Sequence, residues 1–385
     1  MRLTDRTRQL TASPIAEAYA WLPQRTGTRP LLDLSQAAPA YPTAPVIAAR
    51  IAEVAADPDG GRYAPPPGLP ALNQTFAEEM SRDYGAAISP DQVLPTGGCN
   101  QAFCVTTSSL TVPGDEIILP VPYYFNHDMW LKLDGVVPRY LAVPPGGHPD
   151  PAAAKALIGE RTRAIVLVTP GNPTGVTIPA EVIGAFADLC AEHDLALIID
   201  ETYRNFRLTD ERPHGLFDRA QWTDTVISLH SFSKDLAIPG YRVGAIVAGT
   251  DLLYEILKMV DCIQISAPRI GQEAVVAGLA QAGEWRAEQT SRINEALAHF
   301  EGVMAGEPGG FQLASAGAFF GWVRHPFTDL DTAEVIKRLV LDHDVLAIPG
   351  SAFTPTDEGW IRFSYANLAE DQLDELAVRL SEMAR

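Results

Sequence analysis

Residues 164–200 read AIVLVTPGNPTGVTIPAEVIGAFADLCAEHDLALIID. The stretch opens on Ala164–Thr169, a run apolar at successive positions. A strand with one wet face alternates apolar with polar residues, whereas a run apolar on both faces belongs to a strand covered on both sides. Pro170, Gly171, Pro173 and Gly175 then turn the chain. Pro179 reads as a helix start, and Val182, Phe186 and Leu189 follow on one helical face until His193-Asp194 ends the run. Ala196–Asp200 closes the stretch with a second buried strand. Parallel strands need a crossover between them and a helix supplies it, so strand, helix, strand argues for a mostly parallel α/β sheet.

The same alternation extends outward from about 90 to 250. Further strand-like runs are Glu116–Pro120, Val136–Leu141, Thr225–Ser231 and Gly244–Ala248. Proline-rich clusters at 63–68 and 143–149 read as loops. Beyond 270 the pattern changes. A long helical stretch near 272–304 leads to strand candidates at Gly317–Val323, Val345–Ile348 and Trp360–Ala366, then to a helix over Glu370–Ala384. The expected fold is α/β: a large domain with a mostly parallel sheet flanked by helices, and a smaller α+β domain built from both termini. We place an N-terminal arm and part of the small domain at 1–45, the large domain at 46–284 and the rest of the small domain at 285–385.

Composition narrows the function. The chain has 385 residues, 46% of them hydrophobic and 20% charged, as in a globular protein with a core. Its formal net charge of −19 argues against nucleic acid and against an anionic membrane surface, both of which attract basic faces. No run approaches the roughly 18 apolar residues of a membrane span. The N-terminus has positive charges without an apolar region behind them, which is not a secretory signal. Cys99, Cys104, Cys190 and Cys262 lack metal-site spacing and read as free thiols in a reducing cytoplasm.

The residues that could carry chemistry stand at the ends of buried strands, where open α/β sheets bind ligands. Ser231-Phe232-Ser233-Lys234 follows the run VISLH, with Gly240-Tyr241-Arg242 behind it. A lysine just past a buried strand is partly desolvated, which favours its neutral, nucleophilic form. It is otherwise a surface lysine on a loop. Asp200 ends LALIID, where a carboxylate needs a cationic or N–H partner. A protonated pyridine nitrogen would serve, and so would a helix N-terminus that Asp200 caps. Thr169–Gly175 is at least a tight turn, and one that exposes the Asn172 amide. Thr96-Gly97-Gly98-Cys99-Asn100 opens a helix pattern, and free N–H groups there suit a phosphate. Pyridoxal phosphate needs a Schiff-base lysine, a carboxylate for its ring nitrogen and a phosphate cup. All three occur here in a consistent order.

With NPTG at 172–175, DETY at 200–203, SFSK and GYR at 231–242 and IRFSYA at 361–366, the chain resembles the fold-type I, class I/II aminotransferases over about residues 30–380. The resemblance implies pyridoxal 5′-phosphate as cofactor and transfer of an amino group from an L-amino acid to a 2-oxo acid by a ping-pong route. It implies Lys234 as the Schiff-base lysine and proton shuttle, and Asp200 as partner of the pyridine nitrogen. Asn172 and Tyr203 would hydrogen-bond the phenolic oxygen, with Tyr203 counted as catalytic beside Lys234 and Asp200. Ser231, Arg242 and the Gly98, Cys99 and Asn100 backbone would grip the phosphate, and Tyr124 would stack on the ring. Tyr63 would reach the phosphate of a neighbouring subunit, which implies a homodimer with shared sites. Arg362 would clamp the substrate carboxylate, near a loop in which Ala37 replaces the family's usual glycine, and with Asn172 alongside.

Substrate identity is less legible. No arginine is evident for a second carboxylate, so a strict aspartate or glutamate preference has no support. His127 reads as a packed imidazole or a substrate contact. Glu17 reads as a solvated helix carboxylate or a contact for a basic donor. The rivals are a C–S β-lyase, a decarboxylase or a racemase on the same cofactor. A non-catalytic ligand sensor is a further rival, disfavoured by the charge and by the short segment ahead of the fold.

Overall fold

The computed structural model describes residues 2–209 and 211–383. The chain starts with short helices α1 (Asp5–Gln9) and α2 (Pro14–Tyr19), strand β1 (Leu32–Asp33), and helices α3 (Pro45–Ala56) and α4 (Pro70–Tyr84). An alternating region follows: β2 (Val93–Thr96), α5 (Cys99–Leu110), β3 (Glu116–Val121), α6 (Phe125–Asp134), β4 (Val137–Ala142) and α7 (Pro151–Lys155). It continues with β5 (Thr162–Val168), α8 (Ala180–Glu192), β6 (Ala196–Asp200), β7 (Val226–Ser231), β8 (Gly244–Val247) and α9 (Thr250–Gln264). Helices α10 (Arg269–Gln281) and α11 (Gly283–Met304) lead to β9 (Gln312–Gly317), β10 (Phe320–Arg324) and α12 (Thr332–His343). The chain ends with β11 (Val345–Leu346), β12 (Ile348–Pro349), β13 (Trp360–Phe363) and α13 (Glu370–Met383).

The central sheet runs β2-β8-β7-β6-β5-β3-β4. All its pairings are parallel except those of β8 with β2 and β7. The period of two along each strand sorts side chains onto two faces. Ile165 and Leu167 of β5 and Leu197 and Ile199 of β6 pack with Phe76 and Phe186 on one face. Ala164, Val166 and Ile198 pack with Phe103 and Ile256 on the other. Helices therefore cover both sides, which is why these strands carry apolar residues at every position. The parallel strands β5, β6 and β7 end at one edge, with Val168 opposite Asp200 and Asp200 opposite Leu229.

The smaller unit holds an antiparallel sheet, β12-β13-β10-β9, and a parallel pair of β1 with β11. Because β1 lies near the start of the chain and β11 near its end, this unit is built from both termini. Its core gathers Leu32 and Leu34 with Trp322, Leu339, Phe353 and Leu376.

Several boundaries differ from the sequence reading. The helical stretch expected near 272–304 is two helices, broken at Ala282, which has φ −102° and ψ 21°. Gly283 follows, a residue that costs a helix about 1 kcal/mol relative to alanine. Gly317–Val323 is a hairpin, because Ala318 turns the chain at φ 48° between β9 and β10. Apolar residues on both sides of the turn conceal it in the sequence. Val345–Ile348 splits between two sheets at Ala347. The run from Trp360 stops at Phe363 and passes into a 3₁₀ turn over Tyr365–Asn367. Ala384, the expected last residue of the final helix, lies outside the described residues.

Candidate active site

Asp200 closes β6 at the edge where the parallel strands end. Its carboxylate is buried and accepts from the Thr202 N–H at 3.0 Å. His127, at the start of α6, brings Nε2 to 3.3 Å from Asp200 Oδ2, close enough for charge but off the line of a hydrogen bond. Burial alone would raise the Asp200 pKa; His127 and Thr202 outweigh it and leave it lowered. The imidazole stacks on Phe103 at 3.9 Å and meets Tyr124 edge-on at 5.1 Å. His127 is thus packed, as one of its two readings had it, and also faces Asp200.

Lys234 follows β7 on a turn closed by Ala237 N–H donating to Lys234 O at 3.2 Å. Burial lowers its pKa to about 8, and the cations Arg362 and Arg242 add to the effect. Beside it Ser231 Oγ accepts from the Ser233 N–H. The N-terminus of α5 faces the same space. Gly98 caps it at φ 97°, and a Cβ there would collide with the Arg242 guanidinium. Gly244 is equally confined, since its Cβ would lie 2.7 Å from Cys99 N. Two glycines thereby bring a guanidinium and the unpaired first N–H groups of a helix into one cup, which favours an anion. Arg242 is held over the cup by Pro239 O at 2.9 Å and Gly97 O at 3.4 Å. Burial pushes the Cys99 thiol well up, so Cys99 contributes backbone here rather than a thiolate.

Arg362 comes from β13 of the smaller sheet and is 2% exposed. Nη1 donates to Asn172 Oδ1 at 2.9 Å, and Nη2 donates to Ser35 O. The guanidinium lies between Phe320 and Phe353, 5.1 and 5.0 Å from their ring centres. Among the described residues it has no carboxylate partner, Nε has no acceptor, and burial lowers its pKa to about 10. A buried cation so placed lacks its counter-ion. Ala37 packs near this clamp, against Tyr203 and Phe320.

Asn100, Tyr124, Asn172, Asp200, Tyr203, Ser231, Lys234 and Arg242 line one cavity of about 170 Å³, and Arg362 joins its wall through Asn172. Burial holds the Tyr203 hydroxyl well above its usual pKa and Tyr124 at about 12, so both remain donors. Tyr63, expected at a neighbouring subunit's phosphate, and Glu17, read as a solvated carboxylate or a contact for a basic donor, stand apart from this cavity. Tyr63 is 74% exposed and borders a separate groove with Arg62 and Arg269. Glu17 is exposed on α2 and borders another groove, beside Trp21 and Asp128. The cavity also includes Thr202 and Ser233, which lay unassigned inside the motifs. Phe320 and Phe353 carried no signal, because an aromatic that flanks a guanidinium looks like any core residue in sequence.

The chain is 29% identical to the aromatic aminotransferase ISS1 of Arabidopsis thaliana over 350 residues, covering 86% of this chain and 84% of that one. It is 26% identical to an aspartate aminotransferase of Pyrococcus abyssi over 391 residues, covering 100% and 99%. Among solved structures, aspartate aminotransferase from Thermus thermophilus with maleate superposes with a TM-score of 0.90 at 25% identity, over 100% of both chains. Residues 29–380 match the model of aminotransferase class I and II, and the chain belongs to that family of pyridoxal-phosphate-dependent transferases.

Proposed function

We propose that the cavity holds pyridoxal 5′-phosphate on Lys234 and that the chain moves the amino group of an L-amino acid to a 2-oxo acid. The observation that carries this is the joint position of Lys234 and Asp200, an amine of lowered pKa and an ionised carboxylate lining one cavity. The donor set fits the cofactor. The cup of Ser231, Arg242 and the N–H groups at Gly98, Cys99 and Asn100 suits its phosphate. Asp200 suits a protonated ring nitrogen, and Asn172 and Tyr203 suit the phenolic oxygen. The Asn172 carbonyl is engaged by Arg362, which leaves its amide N–H groups to donate. Tyr124 offers an aromatic face to the ring.

When bound, the cofactor supplies an electron-accepting ring. Every other task falls to the chain. Arg362 binds the substrate carboxylate in the place its missing counter-ion leaves, and so fixes the orientation of the Cα–H. Lys234 Nζ, as a neutral amine, would take the Cα proton and hold it as an ammonium until it is returned. In the site without its ligands, burial already lowers that pKa to about 8, towards the neutral form a base requires. Asp200, an anion, would keep a proton on the ring nitrogen, and the positive charge held there would draw electrons away from Cα. The same residues act in reverse on the oxo acid, whose carboxylate returns to Arg362.

Among the described residues of this chain, the cations at the site are Lys234, Arg242 and Arg362, and each has a task in this reading. We therefore infer a donor with one carboxylate, although relatives named for aspartate and for aromatic substrates are both similar to the chain. The exposed Tyr63 serves a partner's phosphate in a homodimer, and the four free cysteines suit the cytoplasm. The test is the absorbance spectrum of the cofactor-loaded protein as single amino acids are added without an oxo acid. Conversion to the aminated cofactor by monocarboxylic donors is expected. Ammonia release without an acceptor would instead identify a lyase. No spectral change with any amino acid would overturn the reading.

A further inference from the structure

Directly after Lys234 stands Asp235, a buried carboxylate that the reaction as derived does not use. Its Oδ2 accepts from Asn205 Nδ2 at 2.8 Å and from Arg286 Nη2 at 2.9 Å. Asn205 belongs to the 3₁₀ turn Arg204–Phe206 that follows Tyr203. Phe206 N–H closes that turn on Tyr203 O at 2.9 Å. The bond from Asn205 to Asp235 therefore ties the Tyr203 segment to the Lys234 segment, each at one or two residues from the working side chain. Arg286 brings in α11 and continues to Glu79 of α4 at 2.7 and 3.0 Å. Glu79 in turn holds Arg204, which also donates to Asp83 at 2.7 Å. On the other side of the turn, Thr43 Oγ1 donates to Leu236 O at 2.9 Å.

We propose that Asp235 is a positioning residue whose carboxylate, by gripping Asn205 and Arg286 together, sets Lys234 in register with Tyr203. The inference rests on Lys234 and Tyr203 acting as proposed above. Its physical basis is that a carboxylate taking two donors from different elements fixes direction as well as distance. Both donors meet on one oxygen, Oδ2, while Oδ1 is buried without a partner, so losing either donor strips a buried carboxylate of half its remaining bonds, and the three segments are held to one another. A tyrosine that donates to the phenolic oxygen and a lysine that bonds the same ring must agree in position to fractions of an ångström. Asp235 does not line the cavity, so its effect reaches the chemistry through the backbone of the Lys234 turn.

The test uses the full-length, cofactor-loaded protein and three variants. Asn205→Ala removes the cross-link and leaves the Arg286 pair in place. Asp235→Asn keeps the shape and one acceptor oxygen. Asp83→Ala loosens the outer end of the same network without touching the Lys234 turn. The readouts are the pH midpoint of the absorbance band of the lysine-bound cofactor, thermal unfolding, and kcat against KM. Asn205→Ala and Asp235→Asn are expected to shift the midpoint by about half a pH unit or more. They are expected to lower kcat about tenfold with KM changed less than about twofold. Asp83→Ala is expected to lower the unfolding temperature alone. Unchanged midpoint and kcat in both inner variants would overturn the proposal and leave Asp235 a purely structural ion. If Asp235→Asn fails to fold, Asn205→Ala alone decides the question. Absence of any lysine-bound band in the unsubstituted protein would overturn the function proposed above, and this inference with it.

Discussion

At the scale of the residue, Lys234 shows how burial favours a neutral amine. Its ammonium loses solvation at the end of β7 and faces two other cations, so its pKa falls from 10.5 to about 8. The sign follows: the neutral amine, the form that attacks a carbonyl, becomes dominant above about 8. In cofactor-free protein, the rate of Schiff-base formation with added pyridoxal 5′-phosphate is expected to rise with pH and level off above about 8. Absorbance in a stopped-flow instrument would follow it. A midpoint near 10.5 would mean that the amine is solvated after all. The strand-end positions of Lys234 and Asp200 were legible because a charged side chain there interrupts an apolar run, whereas Arg362, inside β13, was expected from the resemblance alone. The position of His127 beside Asp200 was not legible. Its proximity to Asp200 depends on how α6 lies across the sheet edge, and no spacing in sequence encodes that.

At the scale of the element, the helix α5 joins the sheet through backbone rather than side chains. Gly98 is confined twice, by φ 97° and by the guanidinium that fills the place of its missing Cβ. A β-branched residue there meets both penalties, of which the backbone term alone, at φ 97° and ψ 163°, is about 1–3 kcal/mol. Gly98→Val is therefore expected to weaken cofactor binding at least tenfold while the protein stays folded, as a titration of tryptophan fluorescence and a thermal melt would show. An unchanged affinity would remove Arg242 and the α5 N-terminus from the phosphate cup. The inner strands β5, β6 and β7 were legible to within about two residues, because burial on both faces forces unbroken apolar runs. The breaks at Ala282 and Ala318 were not, because each is a single residue whose dihedral angles tertiary packing decides.

The buried network that joins these elements sets a limit on acid stability. Burial alone would raise the pKa of Glu79; Arg204 and Arg286 outweigh it and bring it from 4.5 down to about 2. A group whose folded pKa is depressed contributes stability above its unfolded pKa and loses it as pH falls towards the folded one. The window here runs from about 4.5 to about 2. Glu79→Gln leaves Arg204 with Asp83 and Arg286 with Asp235 as their remaining partners, so the loss at neutral pH is expected to fall below the about 3–5 kcal/mol of a buried charge left wholly unpaired. The difference between variant and parent in urea unfolding is expected to shrink as pH drops through that window. A difference constant from pH 7 to pH 2.5 would show that Glu79 is not the group that titrates.

At the scale of the whole molecule, the site is divided between two sheets. The central sheet presents the cup, Asp200 and Lys234 at one edge, and the smaller sheet presents Arg362 from β13. The N-terminal segment locks that arginine: Leu34 O accepts from Ser364 N–H at 2.8 Å, and Ser35 O accepts from Arg362 itself. In the proposed reaction the first sheet governs the cofactor and the second governs the carboxylate common to both substrates. Arg362→Lys keeps the charge but gives up the planar fork that binds a carboxylate through two bonds. Loss of one charge-assisted hydrogen bond is about 1.5–3 kcal/mol, or roughly tenfold to a hundredfold. The KM values of the amino donor and the oxo acceptor are therefore expected to rise together by that factor, with the spectrum and affinity of the cofactor unchanged. Steady-state kinetics with each substrate varied in turn, beside a cofactor titration, would measure both. A rise confined to one substrate would mean that the two carboxylates bind in different places, and a parallel loss of cofactor would mean that the two sheets do not divide the work.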